Sequence, residues 1–177
     1  MNPPKRYISA NDLLQQSFQL AEKVWQDQYR PDAIVGIWRG GAPVAVALHE
    51  YFHWKGHEAA HFPLSARSYR GLDQRGEVSI VGLDALAEQL RPMSSLLLVD
   101  DVVDSGNTLA ALLDALASAA PSLDVRLAAP WFKPERLQVD VQPHYWLHET
   151  SDWLVFPHEL MGLSEAEVTA QKPVGQA

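Results

Sequence analysis

The chain has 177 residues, of which 47% are hydrophobic and 20% are charged, as in an ordinary globular protein of one domain. Its formal net charge of −8 argues against a broad surface for nucleic acid or for an anionic membrane, although a local basic cluster could still bind a phosphate. Cysteine is absent, which excludes disulfides and thiolate chemistry, and no apolar run approaches the ~20 residues of a membrane span, so we expect a soluble cytoplasmic protein.

Apolar periodicity and turn residues predict helices and strands that alternate along the first three quarters of the chain. In chain order, the predicted elements are a helix at about 10–28, a strand at 33–38, a helix at 42–54, a strand at 59–64, a helix at 82–90, a strand at 95–99, a helix at 107–119 and a strand at 125–129. The polar stretch 65–80 contains three glycines or aspartates at turn positions and is predicted to form a long mobile loop or a hairpin.

The last quarter of the chain has a different pattern. Alternating aromatic and aliphatic residues around 145–155 predict short strands, and the tail 164–177 is predicted to be a fraying helix or a disordered end. We expect one domain over residues 1–177, with a core at about 10–132 and a small hood formed by the N-terminal residues and about 133–160.

Alternating strands and helices are typical of an α/β fold with a mainly parallel sheet flanked by helices. In such sheets the ligand binds beyond the carboxyl ends of the strands. Three candidate segments follow predicted strands: Arg39 to Gly41, Asp100 to Thr108, and Lys133.

The densest chemical signal is the stretch 96–109. Four apolar residues predict a buried strand, and the carboxylates of Asp100 and Asp101 follow at its end, where sugar hydroxyls or a hydrated Mg²⁺ would suit them. A short loop from Asp104 to Thr108 then leads into a helix. Its small residues let backbone N–H groups converge on an anion, which predicts a site for a phosphate monoester.

This stretch resembles the ribose-5-phosphate binding motif of type I phosphoribosyltransferases. That motif is an apolar strand, an acidic pair, two apolar residues and then Asp-Thr/Ser-Gly-x-Thr, and the chain matches it at every position. The resemblance implies the type I phosphoribosyltransferase fold with its hood, and phosphoribosyl pyrophosphate (PRPP) as a substrate.

The resemblance also assigns roles to these residues. Asp100 and Asp101 would hold the 2′ and 3′ hydroxyls of the ribose with the help of Mg²⁺. Asp104 would lie near N7 of a purine and act there as a general base or acid. The 5′-phosphate would lie in the loop formed by Asp104, Ser105, Gly106, Asn107 and Thr108.

An acidic pair after a strand, with a later Lys-Pro, also occurs in response-regulator receiver domains. In those domains the pair opens the fold and the phospho-accepting aspartate lies between the pair and the lysine. Here the pair comes after a long α/β stretch, and Lys133 follows it too closely. The receiver interpretation therefore fails on the order of the motifs.

Two further segments resemble parts of the same family. Arg39, Gly40 and Gly41 are similar to the family's pyrophosphate loop, and the resemblance predicts a non-proline cis peptide between Trp38 and Arg39. In the polar stretch 65–80, Ser68 and Tyr69 are similar to the Ser-Tyr dipeptide of the flexible loop that closes over the site in 6-oxopurine enzymes.

The aromatic last quarter resembles the base-recognition parts of xanthine-guanine and hypoxanthine-guanine enzymes. Lys133 would donate to the purine O6 and so favour an oxo group over an amino group. Trp153 would stack on the base, and the backbone around Leu154 would read the purine 2-position. Glu159 would be an outer carboxylate for a second Mg²⁺.

The chain departs from some relatives in having no basic residue between Arg136 and Lys172, so Arg39 and Arg70 would carry the charge near pyrophosphate. His49, His53 and His57 recur every four residues, but Gly56 is predicted to end their helix. We therefore interpret them as solvent or subunit-interface residues and not as a metal site.

Together these features predict magnesium-dependent transfer of 5-phosphoribosyl from PRPP to hypoxanthine, guanine or xanthine in purine salvage, with no nucleic-acid or membrane partner. The resemblance implies a homodimer or a homotetramer. Two alternatives stay open at this point. One is a regulator that senses PRPP or a nucleotide without turnover, and the other is a phosphoribosyltransferase for a pyrimidine or an unusual base.

Overall fold

The computed structural model of the chain describes residues 4–71 and 74–172, and the side chains of residues 67–77 lie outside this description. In chain order, the elements are β1 (Lys5–Tyr7), α1 (Ala10–Gln26), β2 (Ala33–Trp38), α2 (Gly41–Trp54), β3 (Ala60–Gly71), β4 (Gln74–Val81), α3 (Leu83–Leu90), β5 (Ser95–Val99), β6 (Val102–Val103), α4 (Asn107–Ala119), β7 (Asp124–Ala128), β8 (Trp131–Phe132), a 3₁₀ helix (Pro134–Arg136), β9 (His148–Glu149), β10 (Trp153–Val155) and α5 (Glu165–Gln171). None of these helices is long and apolar enough to span a membrane.

The main sheet has the strand order β4-β3-β2-β5-β7. Its strands β3, β2, β5 and β7 are parallel to one another, and β4 is antiparallel to β3. Helices flank the sheet on both faces, which confirms the predicted α/β class with a mainly parallel sheet. The carboxyl ends of β2 and β5 are neighbours, because Gly36 of β2 pairs with Val99 of β5.

The core consists of two apolar clusters, one on each face of the sheet. Alternate residues of a strand point to opposite faces, so in β5 Leu97 and Val99 pack on the side of α1 and α2, whereas Leu96 and Leu98 pack on the side of α3 and α4. All four side chains are at most 1% exposed. Burial on both faces explains why this strand is a continuous apolar run in the sequence.

The described parts of the polar stretch 65–80 lie in the antiparallel strands β3 and β4, and this pairing agrees with the hairpin, one of the two predicted conformations. Strand β3 pairs with β2 only as far as Ser65, opposite Trp38, and beyond that point its partner is β4. The hairpin therefore extends past the carboxyl end of β2, at the edge where the candidate residues lie. The side chains of Ser68 and Tyr69 lie outside the described part of the structure, so their predicted role in covering the site stays a prediction.

Two small sheets join the last quarter of the chain to the rest. Strand β1 pairs in parallel with β10, so that Lys5 lies opposite Trp153 and Tyr7 opposite Val155. Strands β6, β8 and β9 form a second small sheet in that order, and β6 begins shortly after the carboxyl end of β5. These pairings bring the segments that contain Lys133 and Trp153 to the same end of the fold as the acidic pair.

Helix α5 is tied to the amino end of the chain through Glu167. The Ser164 side chain and Glu167 form a reciprocal capping box at the start of the helix. The Glu167 carboxylate also accepts hydrogen bonds from Lys5 Nζ at 2.6 Å and from the Tyr7 hydroxyl at 2.9 Å. These contacts, led by the Lys5 hydrogen bond, lower the pKa of Glu167 from 4.5 to about 2.

Replacing Glu167 by glutamine is expected to lower Tm at pH 7, because the ionised carboxylate makes contacts that a neutral amide makes more weakly. The folded-state pKa lies below the ordinary value, so this stabilisation is complete above pH 4.5 and is lost as the pH falls towards 2. Melting curves at pH 7, 5, 4 and 3 should show that the difference in Tm between wild type and E167Q becomes smaller as the pH falls. Glu165→Gln, in the first turn of the same helix, is the matched control, and a gap for E167Q that stays constant with pH would contradict the assignment.

Candidate active site

The segments after β2 and β5 meet at one edge of the sheet. The Trp38–Arg39 peptide is cis, as predicted, and Arg39 is exposed just beyond it. A Cβ built on Gly40 would lie 2.1 Å from Asp101 Oδ2, and one on Gly41 would lie 2.2 Å from the Val99 carbonyl oxygen. Neither glycine has a positive φ, so the close approach is what matters: a Cβ on Gly41 would clash with backbone, whereas one on Gly40 would displace the Asp101 carboxylate.

Replacing Gly41 by alanine is expected to abolish most of the activity and to destabilise the fold. The new Cβ would also lie 2.8 Å from the Asp100 Cα, so the loop or the end of β5 must shift. Such overpacking costs about 1–3 kcal/mol, which lowers Tm by roughly 2–12 °C in a chain of this size. Circular-dichroism melting and kcat/KM for PRPP measure the two effects.

Gly56→Ala is the matched control, because Gly56 has a φ of +80° but nothing within 4 Å of the point that a Cβ would occupy. That variant is expected to lose some stability through backbone strain and to keep its activity. Wild-type kcat/KM in Gly41→Ala would show that the loop does not need to approach the acidic pair.

Of the acidic pair, Asp101 is buried and Asp100 is half-buried. Asp101 is 8% exposed, and Asp100 Oδ1 accepts a hydrogen bond from the Asp101 N–H at 2.9 Å. Burial, followed by the charge of Asp101, raises the pKa of Asp100 well above its ordinary value. A cation or several hydroxyl donors beside the pair would offset this cost.

The carboxylates of Asp100 and Asp101 fit Mg²⁺, which commonly binds to one or two carboxylates and takes its other ligands from substrate and water. No group of three or more His, Cys, Asp or Glu side chains with metal-binding geometry occurs in the part of the chain that the structure describes. Two carboxylates without a third protein ligand among the described residues are suited to a metal ion that arrives bound to the substrate. Glu159, predicted as an outer ligand, has its Oε2 3.0 Å from the Phe156 backbone N–H and caps that turn.

The predicted phosphate loop leads directly into α4. Gly106 has a φ of +78° and precedes the first helical residue, Asn107. No side chain caps this helix start, so the first backbone N–H groups are free to meet an anion. The loop is held from the other side by hydrogen bonds from the Gln138 N–H to the Ser105 carbonyl at 3.0 Å and from Asn107 Nδ2 to Gln138 Oε1 at 2.8 Å.

Asp104 lies between two cations. Its Oδ2 is 3.1 Å from Lys133 Nζ, and its Oδ1 is 2.6 Å from Arg136 Nε. The Lys133 N–H donates to the Val103 carbonyl at 2.9 Å, which fixes the lysine beside the start of the loop. Lys133 is 5% exposed, whereas Arg136 is largely exposed, so the pair with Lys133 is the more strongly desolvated one.

Lys133 and Asp104 were each predicted as site residues from separate motifs, and the structure brings them into contact. Arg136 was not predicted, although it follows Lys133 by three residues. It lies at the end of a 3₁₀ helix, where no apolar periodicity marks it. Only a search for basic residues near Lys133 could have found it.

The predicted base-binding segment runs through β10. Leu154 is 5% exposed and pairs with Arg6 of β1, whereas Trp153 is 44% exposed and Lys5 Nζ lies 5.8 Å from the centroid of its ring. Beyond β10, His158 Nε2 lies 3.1 Å from Asp101 Oδ2. His158 was not predicted as a site residue, and it joins this segment to the acidic pair.

His49 and His53 of α2, and His57 just after it, lie away from this edge. His49 Nε2 contacts the Ala59 carbonyl at 3.2 Å, and its ring lies 4.5 Å from that of His61. His53 Nδ1 pairs with Glu58 Oε1 at 2.9 Å, and His57 Nε2 contacts the Pro31 carbonyl at 2.9 Å. Each of the three thus has its own protein partner.

Comparison with known proteins places these features in a family. The family model for the phosphoribosyl transferase domain matches residues 4–161. No curated protein sequence matches the chain at a significant level.

Solved structures match over most of their length. The purine phosphoribosyltransferase from Pyrococcus horikoshii Ot3 is 26% identical, with a TM-score of 0.68, 91% of this chain covered and 98% of that one. The Helicobacter pylori xanthine-guanine-hypoxanthine phosphoribosyltransferase is 24% identical, with a TM-score of 0.67 and coverages of 86% and 92%. A hypothetical protein from Neisseria gonorrhoeae with bound ppGpp is 22% identical, with a TM-score of 0.74 and 97% of both chains covered. The chain therefore belongs to the phosphoribosyl transferase domain family and is a type I phosphoribosyltransferase.

Proposed function

We propose that the chain transfers the 5-phosphoribosyl group of PRPP to N9 of a 6-oxopurine, hypoxanthine, guanine or xanthine, and releases pyrophosphate. Family membership supports phosphoribosyl transfer itself. The observation that carries the choice of acceptor is the 3.1 Å contact between Lys133 Nζ and Asp104 Oδ2. It sets a fixed donor and a carboxylate acceptor side by side.

A 6-oxopurine presents a matching pair of groups on one edge. O6 accepts a hydrogen bond, and the neighbouring N7 can carry a proton that a carboxylate accepts. Adenine presents an amino group in place of O6, which would point a donor at the Lys133 ammonium. A buried ammonium left facing a donor is unfavourable, so Lys133 would discriminate against adenine.

The reaction then needs little covalent chemistry from the protein. The C1′–O bond to pyrophosphate breaks with its electron pair on the pyrophosphate, and the N9 lone pair forms the new bond to C1′. The N7 proton of the base passes to the Asp104 carboxylate, which Lys133 and Arg136 hold in place. Positioning of the two substrates supplies most of the remaining rate.

At the donor end, Asp100 and Asp101 would bind the ribose hydroxyls together with Mg²⁺, which when bound would neutralise charge on the leaving pyrophosphate. Arg39 is exposed beside this pair and would bind the pyrophosphate oxygens. The 5′-phosphate would lie at the start of α4, in the loop of Ser105 to Thr108. Ser68 and Tyr69, on the hairpin at the same edge, would cover the site during turnover.

At the acceptor end, the exposed Trp153 ring would stack on the base, and backbone groups near Leu154 would contact its 2-position. Purified protein supplied with Mg²⁺, PRPP and one base at a time tests the proposal. The expected result is nucleoside monophosphate and pyrophosphate in equal amounts with at least one 6-oxopurine. Turnover only with adenine or with a pyrimidine would reject the 6-oxopurine assignment.

A second candidate is a regulator that binds a nucleotide without turnover. It is favoured by the Neisseria gonorrhoeae structure, which has this fold and contains bound ppGpp. Calorimetric titration with ppGpp, run beside the base assay, separates the two. Tight binding of ppGpp without turnover of any base would favour the regulator, whereas turnover of a 6-oxopurine would favour the enzyme.

We also propose a domain organisation and an assembly state for the protein. Residues 1–177 would form one domain, with the core at about 10–132, the hood built from the N-terminal residues and about 133–160, and the tail at 164–177. The enzyme would act in the cytoplasm as a homodimer or homotetramer. Sedimentation velocity would measure the assembly state, and a monomer at micromolar concentration would contradict that part.

A further inference from the structure

His158 contacts one of the two predicted ribose-binding carboxylates. Its Nε2 lies 3.1 Å from Asp101 Oδ2, and a carboxylate accepts, so Nε2 carries the hydrogen in the tautomer that this contact requires. A hypothetical Cβ on Gly40 would lie within 2.6 Å of both oxygens of the same carboxylate. Asp101 is therefore enclosed between the Gly40 backbone on one side and the His158 ring on the other.

The His158 ring is itself held in place. It stacks on Phe156 with a ring-centroid distance of 5.6 Å and an interplanar angle of 8°. Phe156 is fixed through its backbone, because its N–H donates to Glu159 Oε2 and its carbonyl accepts from Lys172 Nζ at 2.5 Å. Lys172 is 4% exposed, so this anchor lies in the interior and not at the surface.

We propose that His158 is a positioning residue for PRPP, which orients the Asp101 carboxylate and joins the acceptor-binding segment to the donor-binding strand. By occupying Oδ2, the imidazole N–H fixes the rotamer of the carboxylate and leaves Oδ1 for a ribose hydroxyl or a cation. This inference rests on the proposed function, in which Asp100 and Asp101 bind the ribose of PRPP.

The fixed carboxylate matters because Asp101 is buried beside the half-buried Asp100, and two adjacent carboxylates repel each other. Without the N–H from His158, Asp101 would be free to turn away from the ribose position, and PRPP binding would have to restore its orientation. Hydrogen-bonding partners of metal-binding carboxylates typically contribute 10- to 100-fold to metal affinity or activity, and Asp101 is proposed to bind PRPP together with Mg²⁺. The expected loss therefore falls on PRPP and not on the purine.

Two substitutions of His158 separate the hydrogen bond from the packing. His158→Phe keeps a planar ring over Phe156 and removes the donor, whereas His158→Gln keeps an N–H donor and removes the ring. Titration of the whole protein with PRPP and Mg²⁺ by calorimetry gives Kd directly. Steady-state kinetics give KM for each substrate, and melting gives Tm. His53→Phe, at an exposed histidine on α2 that contacts Glu58, is the matched control.

For His158→Phe we expect Kd and KM for PRPP to rise about 10- to 100-fold, with KM for the purine, kcat and Tm close to wild type. His158→Gln should recover much of the PRPP affinity, and His53→Phe should behave as wild type. PRPP affinity in His158→Phe equal to that of wild type would overturn the inference. So would equal losses for PRPP and purine with a lower Tm and no recovery in His158→Gln, since those mark a merely structural role. Wild type that binds no PRPP in the same titration would instead reject the proposed function on which the inference rests.

Discussion

Replacing Asp104 by asparagine is expected to lower kcat by about 10²- to 10⁴-fold, the contribution typical of a positioned general acid or base. Asparagine has nearly the same shape, but it cannot take the N7 proton. Its single amide oxygen can accept from only one of the two donors, Lys133 Nζ or Arg136 Nε, which Asp104 binds through separate oxygens. The Kd for PRPP should stay close to wild type, because the acidic pair and the start of α4 are untouched. Single-turnover rates and PRPP titrations measure the two quantities separately.

A Tm measurement and a matched control variant accompany Asp104→Asn. Loss of the carboxylate leaves the buried Lys133 ammonium without its ionic partner, so Tm is measured to confirm that the variant folds. Asp114→Asn, at an exposed position on α4, is the matched control and should retain wild-type kcat. Equal losses in kcat and in PRPP affinity for Asp104→Asn would show that Asp104 binds the donor and does not transfer a proton.

Replacing Lys133 by methionine is expected to lower kcat/KM for hypoxanthine by about 10- to 150-fold, since a hydrogen bond from a charged donor contributes about 1.5–3 kcal/mol. Methionine fills the space of the buried aliphatic stem and removes the ammonium. The preference for hypoxanthine over adenine should shrink, because the discriminating donor is gone. Kinetics with the two bases at saturating PRPP measure both effects.

Lys55→Met, at an exposed lysine after α2, controls for the general loss of a cation. It should leave both bases unaffected. An unchanged ratio of hypoxanthine to adenine turnover in Lys133→Met would show that another group reads O6. The Kd for PRPP provides a second control, which should not change in either variant.

The sequence predicts two kinds of feature best: strands that are buried on both faces, and a helix start that is marked by a capping residue. Strands β2 and β5 match their predicted bounds, 33–38 and 95–99, because a parallel strand covered on both faces is a continuous apolar run bounded by turn residues. Helix α1 begins where Ser9 predicts, since the serine Oγ accepts from the Asp12 N–H at 3.0 Å. Local chemistry decides these features, so local patterns reveal them.

The contacts between distant segments could not be predicted in the same way. Asp104 and Lys133 come from separate motifs, and their distance depends on the pairing of β6 with β8. His158 and Asp101 are 57 residues apart, and nothing in either local sequence indicates the other. The cis peptide at Trp38 was predicted only through family resemblance, because no local propensity favours it.

The conformation of the hairpin is a third feature that the sequence alone does not decide. Its polar residues fit a loop and a solvent-facing strand equally well, so the sequence left both open for residues 65–80. The choice is made by pairing, because β3 continues past the end of β2 and only β4 remains to satisfy its backbone groups. Sheet topology, and not composition, determines that conformation.

The most direct test of the central claim is a competition between bases in one reaction. Hypoxanthine, guanine, xanthine and adenine at equal concentration are mixed with the enzyme, Mg²⁺ and limiting PRPP, and the nucleoside monophosphates are separated by chromatography. Transfer to a 6-oxopurine predicts that inosine, guanosine or xanthosine monophosphate forms in step with pyrophosphate and that adenosine monophosphate is a trace product. Adenosine monophosphate as the main product, or PRPP left unconsumed in the presence of all four bases, would contradict the account.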